Sequence, residues 1–442
     1  MRDERGVTKL GTLIGIVMLL TLILFIAVVC LKFSGEKEDN TVTNTAVTNT
    51  TTMENTTTNQ VTEQPVISTG NSEFDYKFLK MENNKNNMLY SPLSIKYALK
   101  MLQEGADGNT YAQINNVVGN LNLPAYKNIP STLSLANGIF IRDTFYNDVK
   151  QEYKNVLASR YNAEINQDSF VNANNINSWI ENKTLGIIKN MLNDSQVTDP
   201  EMRMALINAL AIDMEWKNQF ADKDTHGQTF NLSDGNQMQA TMMHNEIKDD
   251  SASYYVGNDV TALSMDLKQY DGQQLEFVAI MPKSNLDQYV SSLTVDKIKQ
   301  IDNNLKKASN ESAGIRVSIP KFSFEYDLEL KKDLMNLGIT DAFSRGSANF
   351  SKMSDKQLYV SEALHKANID FTEKGVKAAA VTVFLMMENA AMIEEEQPVE
   401  VTIDNPFMFL IRDKNTKEIW FTGTVYEPNS WEKDQNEYRG QY

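Results

Sequence analysis

Cysteine and histidine are scarce in this sequence of 442 residues, which holds one cysteine, Cys30, and three histidines, His226, His244 and His365. A lone cysteine excludes an internal disulfide, so packing alone must stabilise whatever folds. No Cys/His cluster with the spacing of a zinc site is present. We therefore expect neither a metal nor any other cofactor.

The same scarcity argues against catalysis. A Ser-His-Asp hydrolase needs a base beside its nucleophile, and His226 and His244 stand in polar, loop-like stretches where we expect them to be solvated. His365 stands within an apolar strand-like run and is typical of a buried histidine with satisfied hydrogen bonds. The sequence has no Gly-x-Ser-x-Gly elbow, P-loop or His-Glu-x-x-His motif. We predict that the protein is not an enzyme.

Basic residues are outnumbered as well, with 42 Lys and Arg against 58 Asp and Glu and a net charge of −16. Nucleic acids and anionic polysaccharides both require a basic patch on the protein that binds them. The charge balance therefore argues against either as a partner.

The longest uncharged run is near the N-terminus, where residues 10–31 could cross a bilayer as a helix. Basic residues within 1–9 place that short segment in the cytoplasm. We favour a retained transmembrane anchor. The alternative is a cleaved signal peptide, but the apolar core of such a peptide is normally shorter than this run. A lipoprotein signal ending at Cys30 is a third possibility, although the residue before it is not small. The rest of the chain is expected outside the cell membrane, or secreted if the segment is cleaved.

Residues 32–71 are rich in Thr and Asn, and none from 34 to 70 is aromatic. Such a tract cannot bury enough apolar surface to fold, so we predict a disordered stalk. From 72 to 428 there is no internal repeat and no Pro/Gly-rich break, which favours one large domain and, we expect, a monomer. Residues 429–442 are interpreted as a polar C-terminal tail.

Hydrophobic periodicity predicts helices early in the domain and strands later. The helices are expected at 73–83, 93–104, 110–118 and 173–189, and the strands at 203–213, 275–281, 314–320, 358–371, 399–403, 408–411 and 419–425. This grouping favours an α+β fold with large mixed or antiparallel sheets.

The segment 373–382 is unusual because its side chains are small. A permanently exposed loop would be rich in turn residues, and a permanently buried strand would be bulkier. Side chains alternate along a strand, so one row contains Val376, Ala378, Ala380 and Thr382, without a charge, while Lys377 falls in the other row. The pattern is typical of a chain exposed in one state and inserted in another. A linker or a helical alanine run is the alternative.

Five blocks spread over 72–428 resemble the serpin family. They contain, in order, Tyr90-Ser91-Pro92-Leu93-Ser94; Asn208 with Trp216 and Phe220; residues 317–322; Asn349-Phe350-Ser351 leading to His365; and Asn405-Pro406-Phe407 leading to Trp420. The resemblance implies three β-sheets with eight to nine helices and an exposed reactive-centre loop.

The resemblance also implies an irreversible trap for proteases, serine proteases first and cysteine proteases as a second class. The protease cleaves the loop, and the loop then inserts into the central sheet. The implied hinge residues are Glu373, Gly375, Val376, Ala378, Ala379, Ala380 and Thr382. The implied sheet-opening cluster is Ser91, Ser94, Asn208 and His365, with Trp216 and Glu373 at the upper entry point.

Serpins usually have the scissile bond about sixteen residues beyond the hinge glutamate, so the resemblance implies Asn389-Ala390, counted from Glu373. A count back from Pro406 gives a position several residues later, so the window is 387–393. The alternative function is a non-inhibitory serpin that acts as a binding, carrier or chaperone protein at the cell surface, or an adhesin that uses the domain as a scaffold. Val376 and Lys377 depart from the residues usual in inhibitory members, but neither puts a charge in the inward row.

Overall fold

A computed structural model describes residues 66–67, 72–119, 121–124, 126–376 and 397–432. All of them belong to one unit of the chain, Glu63–Tyr442, which is separate from the unit Met1–Thr62. The predicted anchor 10–31, the hinge positions Ala378, Ala379, Ala380 and Thr382, and the expected bond Asn389-Ala390 lie outside the described residues. No helix within the described ranges is long and apolar enough to cross a membrane.

The α-helices of the described residues are α1 Lys77–Met81, α2 Pro92–Gly105, α3 Gly108–Val118, α4 Gln151–Tyr161, α5 Asn174–Lys183, α6 Asp194–Val197, α7 Leu286–Ser291, α8 Val295–Asn304 and α9 Leu330–Asn336. Short 3-10 helices lie at Glu73–Tyr76, Asp143–Asp148, Asp222–Asp224, Ala308–Asn310 and Asp341–Phe343. Helices therefore occur late as well as early, which corrects the predicted grouping.

The strands of the same residues are β1 Val66–Ile67, β2 Met88–Tyr90, β3 Leu121–Asn122, β4 Leu133–Arg142, β5 Glu164–Asp168, β6 Met204–Ile212, β7 Met214–Glu215, β8 Thr225–Asn231, β9 Gln237–Ile247, β10 Ala252–Val256, β11 Val260–Asp266, β12 Leu275–Pro282, β13 Lys306–Lys307, β14 Ile315–Pro320, β15 Phe322–Leu328, β16 His365–Phe371, β17 Gly375–Val376, β18 Val399–Thr402, β19 Phe407–Asp413 and β20 Ile419–Val425.

These strands form five hydrogen-bonded groups where three sheets were expected. Their orders are β13-β10-β11-β12-β19-β20-β2, β18-β14-β9-β8, β15-β16-β17-β7, β5-β4-β6 and the small parallel pair β1-β3. Since β6 runs directly into β7, the third and fourth groups are two halves of one sheet. We call it the split sheet.

The seven-stranded sheet separates two apolar cores, because successive side chains of a strand point to opposite faces. On β12, Val278 and Ile280 pack with the helices, whereas Phe277 and Ala279 pack with the split sheet. Every residue of β12 is buried, including Glu276, which explains why all its other residues are apolar. We call the core that contains Phe277 and Ala279 the second core, and it lies beneath the split sheet.

Helix α2 supports the split sheet from below, packing on β6 and β20. Its N-terminus is capped: the Ser91 hydroxyl accepts a hydrogen bond from the Ser94 N–H at 3.0 Å, and Pro92 is in the first turn. This capping interaction fixes Ser91 directly under the sheet.

Several predicted boundaries of helices and strands were wrong. The helix expected over 173–189 ends at Lys183, because Leu185 and Gly186 adopt positive φ angles of 57° and 75° that stop a helix. The strand expected over 358–371 begins only at His365. Near the start of the domain, Val66 and Ile67 of the predicted stalk pair with β3. Near its end, the backbone N–H of Trp431 in the predicted tail donates to the Gln239 carbonyl.

Candidate functional site: the cleft in the split sheet

The split sheet is open along most of its middle. Strand β6 pairs with β4 on one side and β16 pairs with β15 on one side, but within the described residues no β-ladder joins β6 to β16. Their facing edges border two small cavities of 20 and 10 Å³, each with room for about one water molecule. We call the space between these edges the cleft.

The cleft is closed at its upper end by the hinge. Strand β17 pairs with β16 through Val376 opposite Phe371, and with β7 through Gly375 opposite Glu215 and Val376 opposite Met214. Both pairings are antiparallel, so β6 and β16 run parallel to each other and β17 itself points down the cleft. Val376 is buried in the second core, as the predicted inward row requires.

Gly375 is required at this position by close approach of the backbone. A Cβ atom added to it would lie 2.1 Å from the Met214 carbonyl oxygen and 2.7 Å from the Glu215 Cα. Both contacts are shorter than any real Cβ contact, and both involve backbone that cannot move aside cheaply. A side chain at 375 would therefore force β17 out from between its neighbours.

Trp216 holds the turn that leads into β17. Its indole N–H donates to the Thr372 carbonyl at 2.8 Å, and its backbone N–H donates to the Lys374 carbonyl at 2.8 Å. The ring also packs edge-on against Phe371, with ring centroids 5.1 Å apart. This buried tryptophan ties β7 to the hinge turn.

Glu373 is buried at the same turn. Burial raises the pKa of its carboxyl, but its own backbone N–H and the Lys321 ammonium, 2.9 Å away, outweigh that effect and hold the pKa below its usual range. The carboxylate is thus charged at neutral pH. Its carbonyl accepts from the Phe220 N–H at 2.9 Å.

Below the hinge, Ser91, Ser94, Asn208 and His365 surround the smaller cavity. His365 Nε2 accepts a hydrogen bond from the Ser91 N–H at 3.0 Å. Burial lowers the pKa of His365 to about 4, so the imidazole is neutral and its proton is on Nδ1. The strand position and burial expected for His365 are as predicted.

The predicted cluster is not one hydrogen-bond network, however. Ser94 bonds Ser91 through its N–H and does not reach the histidine, and the Asn208 amide donates to Asn137 on β4 at 2.7 Å. Asn208 Oδ1 is buried and has no partner within the described ranges. The geometry leaves an acceptor facing the cleft that a further strand could use.

The outer side of the cleft is covered by the chain that follows α5. Ile188 borders both cavities, Ile187 borders the larger and Met191 the smaller. Both isoleucines were expected on the apolar face of a helix over 173–189. The turn at Leu185 and Gly186 ends that helix before it reaches them.

The remaining histidines lie away from the cleft. His226 and His244 were expected in loops, but they lie on β8 and β9 and stack with ring centroids 4.1 Å apart. The 3-10 helix Asp222–Asp224 directly precedes β8. Among the described residues no group of His, Cys, Asp and Glu could hold a metal ion.

Residues 70–428 match the model of the family named Serpin, with the description serine protease inhibitor. The chain belongs to the serpin family. An uncharacterized serpin-like protein of Methanosarcina acetivorans is 30% identical over 440 residues, covering 92% of this chain and 97% of that protein. Human neuroserpin is 28% identical over 387 residues, which cover 80% of this chain and 89% of neuroserpin.

Solved structures agree with this assignment. The native state of Tengpin, a thermophilic serpin, superposes with a TM-score of 0.66 at 30% identity, covering 82% of this chain and 97% of Tengpin. The expected α+β serpin fold is therefore confirmed. At the level of the family, the assignment supports protease inhibition rather than catalysis.

Proposed function

We propose that this serpin is an irreversible suicide-substrate inhibitor of serine proteases that traps the acyl-enzyme by inserting its cleaved loop into the cleft. One observation carries the proposal: β17 already enters the upper end of the cleft and runs antiparallel to both edges. A strand that continues from Val376 would pair with β6 and β16 simultaneously. This is strand addition to preformed edges.

The register of β17 predicts which residues an inserted strand would face. If both pairings continue, the row of Val376, Ala378, Ala380 and Thr382 faces the same side as Phe371, Ile369, Ala367 and His365, all of which are buried. Thr382 would then lie opposite Asn208 on one edge and His365 on the other. Its hydroxyl is suited to the unpartnered Asn208 oxygen, which supports insertion at least that far.

The opposite row explains why Lys377 is tolerated. In the same register Lys377 would lie between Asp213, next to β6, and Asp370 on β16. Two carboxylates beside one ammonium favour the inserted form, and both aspartates are only partly buried.

The chemical steps follow from ordinary serine protease chemistry. The protease serine Oγ attacks the scissile carbonyl, the amine of the following residue leaves with a proton, and an ester joins the two proteins. Insertion then carries the ester-linked protease along the cleft, and distortion of its oxyanion hole stops hydrolysis of the ester. The native state must therefore be metastable and persist behind a kinetic barrier.

We further propose that residues 10–31 export the domain and retain it at the membrane, where it meets extracellular proteases. A carrier protein, the alternative function, need not insert its loop, so it would not need hinge residues that fit the cleft. The small, uncharged inward row and the close fit of Gly375 favour inhibition.

The test is incubation of the purified full chain with serine proteases of trypsin, chymotrypsin and subtilisin specificity, and with papain. We expect an SDS-resistant complex with at least one serine protease, and none when that protease lacks its nucleophilic serine. Cleavage between 387 and 393 without any such complex, and without a gain in thermal stability, would support the carrier alternative.

A further inference from the structure

The lower end of the cleft carries a contact that the sequence did not predict. Glu201 precedes β6 by three residues and Tyr359 precedes β16 by six, and the Tyr359 hydroxyl donates to Glu201 Oε2 at 2.8 Å. The Arg345 guanidinium forms an ion pair with the same carboxylate oxygen and stacks on the Tyr359 ring, 5.4 Å from its centroid. The contact therefore spans the two halves of the split sheet.

Each side of this contact is fixed to its own half. The turn that carries Glu201 is held to β4 by Arg142, whose guanidinium donates to the Asp199 and Met202 carbonyls at 2.8 Å each.

On the other side, the Val360 N–H donates to the Ala342 carbonyl at 2.8 Å, and the Lys331 ammonium donates to the Ser361 carbonyl at 2.7 Å. Because the partners are anchored separately, the halves cannot move apart here without breaking the contact.

The register of β17 connects this contact to loop insertion. Extended down the cleft, it brings position 389 level with Glu201 on one side and with position 358 on the other. Asn389 is the residue expected on the N-terminal side of the scissile bond. Full insertion would thus end where Glu201 and Tyr359 now meet.

We propose that Glu201, Tyr359 and Arg345 form a latch that closes the lower end of the cleft and must open before a strand inserts along its full length. This inference rests on the proposed inhibitory function. Hydrogen bonds from Tyr359 and then Arg345 hold the pKa of Glu201 below its usual range, so the latch is charged and closed at neutral pH. All three side chains are exposed enough that the contact is weak, as a reversible closure requires.

The latch is tested with a synthetic peptide of residues 376–389, whose incorporation into the uncleaved full chain is followed on native gels. Glu201→Gln and Tyr359→Phe are expected to incorporate the peptide about two- to five-fold faster than wild type, the range of an exposed pair. Asp250→Asn is the matched control, since Asp250 pairs with Lys307 at 2.7 Å on the surface away from the cleft.

The melting temperature of the peptide-loaded form separates a latch from a merely structural contact. In the peptide-loaded form the latch is already open, so the loaded variants should have the same melting temperature as loaded wild type. Incorporation at the rate of the Asp250→Asn control would overturn the inference, as would equal destabilisation of native and loaded forms. If wild type neither takes up peptide nor traps a protease, the proposed function itself is wrong.

Discussion

Protonation of His365 should weaken the folded protein below pH 6.5. The imidazole has a pKa of about 4 in the folded chain because it is buried, against 6.5 when solvated. Between these values the unfolded chain binds a proton that the folded chain does not, so stability is complete above pH 6.5 and falls as the pH drops toward 4. The full difference corresponds to roughly 3 kcal/mol, and to about 2 kcal/mol at pH 5.

The hydrogen bond of His365 also predicts that acid lowers the stability of the folded protein. A proton on Nε2 would replace the acceptor of the Ser91 N–H by a second donor, 3.0 Å away. The hydrogen bond that fixes His365 over the start of α2 would then be lost. We expect acid to speed both unfolding and uncatalysed loop insertion.

The assay compares urea unfolding of wild type and His365→Gln from pH 8 to pH 4.5. The glutamine amide oxygen can accept from Ser91 but does not titrate, so only wild type should lose the extra 2 kcal/mol at pH 5. Carboxylates contribute equally to both proteins and cancel in the difference.

Since the chain has three histidines, NMR can follow each imidazole directly, and the signal missing in His365→Gln identifies the one of interest. Titration of that signal near pH 6.5, or parallel stability curves for the two proteins, would refute the reasoning.

Further predictions concern the hinge. Gly375→Val should expel β17 because of its clash with the Met214 carbonyl, exposing Val376 and turning the inhibitor into a substrate; an unchanged ratio of inhibitor consumed per protease trapped would contradict this. Val376→Asp should likewise abolish trapping, whereas Lys377→Ser, in the outer row, should slow insertion only a few-fold; equal effects would disprove the assignment of rows. Trp216→Phe should lose its bond to the hinge turn at a cost of about 1 kcal/mol in thermal unfolding experiments.

Local signals in the sequence predicted the local features. The three-to-four spacing of apolar residues predicted a helix at α2, and the mostly apolar runs of β6, β12 and β20 predicted strands. The inward position of Val376 agrees with the row that alternation and the charge of Lys377 together predicted. These features depend on neighbours in sequence, so periodicity is enough to find them.

Features that depend on long-range pairing were missed. Residues 358–364 have strand-like composition, but they lie beside the cleft and have no ladder partner in the described part of the chain, so β16 begins only at His365. The Glu201–Tyr359 contact joins residues 158 positions apart, and no local pattern signals it. Gly186 was a visible sign that α5 ends early, since glycine after a helix commonly caps it.

The most direct test of the trap is hydrogen exchange of the amides in β6 and β16 before and after cleavage of the loop. Among the residues that the structure describes, no ladder joins these edges, so their cleft-facing amides should exchange quickly before cleavage. After cleavage, insertion of a strand should protect amides within 204–212 and 365–371 simultaneously. Cleavage that leaves their exchange rates unchanged would contradict the account.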